Sequence, residues 1–223
     1  MRQDLLDEIN LLADSLAKVS AWKNSKDAFG HIIGEKKAQN NYIYEFYCYM
    51  KILEDLSKNP SHKINFIIGN GIFPRGPAPK SNRPYFVLEK DNIKIFQICS
   101  GTQIETKVPN IEKAPDISFQ AMSSDPDLPN YEDILAIYDA KYSDSNSTKS
   151  FQEGQMSSFN KMIRFLEQDQ PNIIHLYYTN FNDFKGNCLI TNKQSYTDNK
   201  AELAEEMITV VEFFDQGETF RVI

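Results

Sequence analysis

The sequence predicts an α/β fold. Three observations carry that reading: apolar residues recur at helical spacing within the first sixty positions, a series of β-rich segments follows, and a further helical pattern returns after them. At 223 residues and 41% hydrophobic, the chain is long enough for one sizeable core, and its 15 Phe and 11 Tyr supply much of the apolar volume. Residues 1–223 therefore read as a single domain, with an N-terminal helical region at about residues 1–58.

Each element has its own signal. Leu5, Ile9, Leu12, Leu16 and Val19 are spaced by three and four, which predicts a first helix over residues 4–19. A second helix is expected from Asn41 to Ser57, closed by Asn59-Pro60, because proline cannot continue a helix. Lys63 to Ile68 is β-rich, and the turn-forming residues from Gly69 to Pro79 predict a loop. Tyr85 to Leu88 and Ile93 to Cys99 read as a hairpin. Ile117 to Phe119 and Ile134 to Tyr142 read as two more strands, and the polar loop Ser123 to Asn130 would join them as neighbours. Phe151 to Gln168 is helical in pattern and Ile173 to Tyr178 reads as a strand. A last helix, Lys200 to Met207, is expected before a short β-like tail.

Bulk properties exclude several classes. Cys48, Cys99 and Cys188 are odd in number and far apart, against a disulfide framework or a zinc site. His31, His62 and His175 stand alone, without paired ligand spacing, and read as structural. No apolar run is long enough for a membrane span, and the acidic N-terminus does not read as a signal peptide, so a cytoplasmic protein is expected. The net charge of -7 argues against a protein that coats nucleic acid non-specifically, since phosphate neutralisation dominates such affinity.

Five polar residues stand in positions that need a reason. On the strand over 133–142, alternation puts Leu135, Ile137, Asp139 and Lys141 on one side, so an apolar face ends in an acid and a base. Asp116 follows a proline at the start of the preceding strand, and 139 minus 116 leaves 23 positions, enough to return the chain to an adjacent strand. Glu45 falls in line with Tyr49, Ile52 and Leu56, while Cys48, Lys51, Asp55 and Lys58 mark the polar side of that helix. A carboxylate on the apolar stripe must be paired, protonated or bound to a metal. Gln155 aligns with Phe159, Met162 and Leu166, either as an interfacial amide bonded to backbone or as part of a site.

Pro115-Asp116 followed by Asp139-Ala-Lys141, with an upstream helical Glu and a downstream helical Gln, resembles the signature order of the PD-(D/E)xK nuclease superfamily. Residues 42–53 together with 137–142 look especially like the nuclease domains of McrC-type defence proteins, and the resemblance spans roughly residues 40–180. It implies a restriction-endonuclease-like mixed central β-sheet flanked by α-helices. It also implies a metal-dependent endonuclease acting on DNA in restriction or anti-phage defence. Asp116, Asp139 and Glu45 would be metal ligands, Lys141 would orient or activate the attacking water, and Gln155 would match the Gln of a Gln-x-x-x-Tyr motif. That motif here ends in Phe159, which has no phenolic hydroxyl.

An oxygen-only ligand set points to Mg²⁺ or Mn²⁺. Lys36 and Lys37, and the loop carrying Arg75, Lys80 and Arg83, are candidate contacts to the nucleic-acid backbone, with ordinary solvated surface as the alternative. Expected partners are nucleic acid, DNA ahead of RNA, with room for a protein partner or a homodimer, and no membrane. The alternative function is a catalytically silent nuclease-like subunit that binds DNA or assembles with a partner.

Overall fold

The computed structural model describes residues 2–19, 40–67, 77–81, 83–142, 149–168, 173–192, 208–213 and 220–222. Helix α1 spans Arg2–Val19 and helix α2 spans Asn40–Ser57. Leu6, Ile9, Leu12 and Ala13 turn inward from α1, as their spacing requires. Helix α2 departs from the expectation of one polar side, because Cys48, Lys51 and Asp55 are buried as well as the apolar stripe. Helix α1 packs against α2 on the side of Lys51, while Asp55 is covered by residues 179–181. The Lys51 ammonium is 2.8 Å from Glu8 Oε1, and the Tyr47 hydroxyl donates to the same oxygen at 3.2 Å. Asn59 Oδ1 accepts from the Ser61 N–H at 3.0 Å in the turn that follows the helix.

The strands are β1 His62–Ile67, β2 Tyr85–Lys90, β3 Ile93–Ser100, β4 Ile104–Glu105, β5 Glu112–Lys113, β6 Ile117–Ala121, β7 Ile134–Lys141, β8 Asn187–Thr191, β9 Ile208–Phe213 and β10 Phe220–Val222. Strands β4 and β5 form a separate ribbon; the others form one sheet in the order β1-β2-β3-β6-β7-β8-β9-β10. Pairing is antiparallel from β1 to β7 and between β9 and β10, and parallel at β7–β8 and β8–β9. The chain is thus mixed α/β, as expected.

The β2–β3 hairpin closes on Asp91 and Asn92, with φ of 52° and 64°. Both residue types tolerate left-handed backbone, which is what a two-residue hairpin turn with the twist of its strands demands.

The two faces of the sheet differ. Phe86, Leu88, Phe96, Ile98, Ile117, Phe119, Ala136, Tyr138 and Ala140 pack toward α1 and α2 in the main core. On the other face, helix α3 (Lys149–Phe165) packs Met156, Phe159 and Ile163 against Ile137 and Leu189 in a smaller core.

Residues 173–178 are a correction, since Ile174–Tyr177 forms a 3-10 turn where a strand was expected. The place beside β7 belongs to β8, which the sequence reading did not foresee. Tyr178 instead joins Phe181 and Phe184, whose rings stack 4.7 Å apart, and its hydroxyl donates to that of Tyr138 at 3.2 Å. The helix expected over 200–207 lies outside the described residues, and the β-like tail corresponds to β9 and β10.

Candidate active site

Strand register brings the two aspartates together. Ile117 of β6 stands opposite Tyr138 of β7 and Ser118 opposite Ile137, so Asp116, one residue before β6, comes level with Asp139. Alternation then places Asp139 and Lys141 on the side of Ile137, away from α2. The Lys141 ammonium lies 2.6 Å from Asp139 Oδ2 and 3.6 Å from Asp116 Oδ2. Asp116 Oδ2 also accepts the Ala140 N–H at 2.7 Å, which fixes the carboxylate to the end of the neighbouring strand. Glu45 approaches from the helical side, near enough for its charge to act on both Asp116 and Lys141.

Three carboxyl groups therefore share one ammonium in a half-buried site. Burial pushes the Glu45 carboxyl up to about 7, with Lys141 opposing the rise and Asp139 adding to it. Burial raises Asp116 well above the ordinary carboxylate range, with Asp139 adding to the rise. Burial draws the Lys141 ammonium down, but Asp139 and Asp116 beside it outweigh that and hold it above its ordinary value. The site is short of positive charge.

Beside these groups lies a cleft of about 170 Å³, lined by Asn41, Tyr42, Glu45, Pro77, Ser100, Gly101, Ala114 and Asp116. Asn41 is one helical turn before Glu45, which puts it over the same end of the sheet. Gly101, with φ of 58°, lets β3 turn away at the cleft wall without strain. Only Glu45 and Asp116 among these lining residues were candidates from the sequence. The signal that could have found Asn41 and Tyr42 is their helical phase with Glu45; Pro77, Ser100, Gly101 and Ala114 meet only through the sheet.

The donor chemistry suits a hard divalent cation. Among the described residues no group of three or more His, Cys, Asp or Glu side chains is placed to hold a metal ion, Glu45 with the two aspartates included. Mg²⁺, however, is usually held by one or two carboxylates with water and substrate phosphate completing the shell, not by an all-protein cage. Asp116 and Asp139 with a nearby Glu45 meet that requirement, and the Lys141 ammonium lies between the two aspartates where positive charge is needed.

Gln155 is half-buried on α3 and, like Asp139 and Lys141, is not among the residues that line the cleft. Lys80, expected on a surface loop, is 2% exposed and points inward. Arg83 is half-buried, and Lys36, Lys37 and Arg75 lie outside the described residues. No helix of the described residues is long and apolar enough to cross a membrane. No protein-family model matches the chain, and neither a curated protein nor a solved structure is significantly similar to it.

Proposed function

We propose that this chain is a metal-dependent endonuclease of the PD-(D/E)xK type, built on a restriction-endonuclease-like sheet. It hydrolyses phosphodiester bonds, in DNA ahead of RNA, and serves restriction or anti-phage defence. The observation that carries the reading is the placement of Lys141 2.6 Å from Asp139 and 3.6 Å from Asp116, on paired strands beside a cleft lined by Asp116 and Glu45. An incidental ion pair at a strand end would not need a third carboxyl group brought in by a helix.

Asp116 and Asp139 would hold Mg²⁺ or Mn²⁺, with Glu45 completing the set, and the cation would supply Lewis-acid stabilisation of charge on the phosphate. The chain's own residues do the rest. Lys141, kept protonated by two aspartates, acts as a fixed charge beside the phosphate and not as a general base at neutral pH. Glu45, the third carboxyl group of the site, adds negative charge that a bound cation would offset.

The test is cleavage of plasmid and single-stranded DNA with Mg²⁺ or Mn²⁺ by the wild type, Asp139→Ala and Lys141→Ala. Each variant should lose about 100-fold or more in rate. Equal activity in all three would sink the site, and no activity in any would favour the catalytically silent subunit.

A further inference from the structure

Helix α3 covers the outer face of β7 and β8, but over β3 and β6 that face carries Gln97, Cys99, Ser118 and Gln120, all buried. A polar row inside a protein must be satisfied internally, and Lys80 satisfies the side-chain oxygens of both glutamines. Its ammonium donates to Gln97 Oε1 at 2.8 Å, Gln120 Oε1 at 3.0 Å and Ser124 Oγ at 2.6 Å. All three donor positions are used, on β3, on β6 and on the loop after β6.

None of these acceptors is charged, so the cost of burying the ammonium is not offset by an ion pair at contact distance; burial accordingly lowers the Lys80 pKa. An apolar side chain would fill the same space at less electrostatic cost. What it could not do is tie three separate stretches of backbone to one atom.

Those ties reach the candidate active site by two routes. Residues 77–81 are held to the sheet, with the Ala78 N–H donating to Gly101 O at 3.2 Å and the Gln103 N–H to Ala78 O at 3.0 Å, and Pro77 and Gly101 both line the cleft. Along β6, Gln120 Nε2 donates to Ser118 Oγ at 2.8 Å, and two positions further on the same side stands Asp116.

We propose that Lys80 is a positioning residue of the candidate active site. Its buried ammonium latches residues 77–81 across β3 and β6, setting the Pro77 wall of the cleft and the polar row that ends at Asp116. The inference rests on the nuclease reading only for what the cleft receives.

Cys99 offers a test that needs no activity. It lies on the same side of β3 as Gln97, is 1% exposed, and its thiol is close enough to feel the Lys80 charge. Cys48 and Cys188 are equally buried but lie in the main core, so they report global unfolding instead. In Lys80→Met, native-state labelling of Cys99 by a thiol reagent should speed up by roughly tenfold or more while Cys48 and Cys188 stay protected. Ser124→Ala, which removes one acceptor only, should give a smaller rise in the same direction, and it decides the matter if Lys80→Met does not fold.

With DNA and Mg²⁺, Lys80→Met should raise KM several-fold through the displaced Pro77 wall and lower kcat as well, because the polar row ends at Asp116. Fewer folded molecules alone would lower kcat and leave KM as it was. In whichever of the two variants folds, unchanged Cys99 labelling, labelling of all three cysteines together, or a loss confined to kcat would each overturn the latch. A wild type that neither binds nor cleaves DNA would fail the nuclease reading, and Cys99 protection would still decide the latch.

Discussion

Glu45 sits on the apolar stripe of α2, beside two aspartates, where its negative charge is costly. Its carboxyl titrates near 7 in the folded chain and near 4.5 when unfolded. Between those values the folded state binds the extra proton, so stability falls as pH rises through that window, and the loss is complete above about pH 7. In chelating buffer, Glu45→Gln should therefore be more stable than the wild type at pH 8, by about 1–3 kcal/mol, and no more stable at pH 4. Urea denaturation at the two pH values measures this, and a difference independent of pH would overturn it. Glu45, Asp116, Asp139 and Lys141 were legible because each interrupts a local apolar pattern or falls in a known order. Lys80 was not, because a loop has no period to betray direction, and its partners lie 17 and 40 residues away.

At the scale of elements, what the local pattern misassigned was settled by contacts distant in sequence. The Asp55 carboxylate, fully buried on the side of α2 expected to be polar, accepts from the Thr179 N–H at 2.8 Å, the Asn180 N–H at 3.0 Å and Asn180 Nδ2 at 2.7 Å. These bonds tie the segment that follows Ile174–Tyr177 to α2. Asp55→Ala would leave several buried donors without an acceptor and should cost about 3 kcal/mol or more, measured by chemical denaturation. A loss below about 1 kcal/mol would mean that water replaces the carboxylate. Strand β8 escaped notice because Asn187–Thr191 is short and buried on both faces, so it lacks the alternation that betrays a half-exposed strand. The β2–β3 hairpin and the β6–β7 connection, with strong turn residues and alternating neighbours, were readable for the converse reason.

Over the whole molecule, a net charge of -7 and a site with three carboxyl groups to one ammonium act in the same direction. Both favour binding of a small, doubly charged cation over binding of an extended polyanion, and the cation would make the site more acceptable to phosphate. If Asp116 and Asp139 hold Mg²⁺ or Mn²⁺ in the folded chain only, binding must raise stability by mass action, about 2.7 kcal/mol at a hundred times Kd. For a domain of this size that corresponds to a rise in Tm of roughly 5–10 °C over chelating buffer. Asp139→Asn keeps the shape of the side chain but removes a ligand charge, so it should lose most of that rise. Differential scanning fluorimetry with Mg²⁺, Mn²⁺ and a chelator makes the comparison without any substrate. A Tm indifferent to all three would remove the metal from the mechanism, and a rise that survives in Asp139→Asn would place the ion elsewhere on the acidic surface.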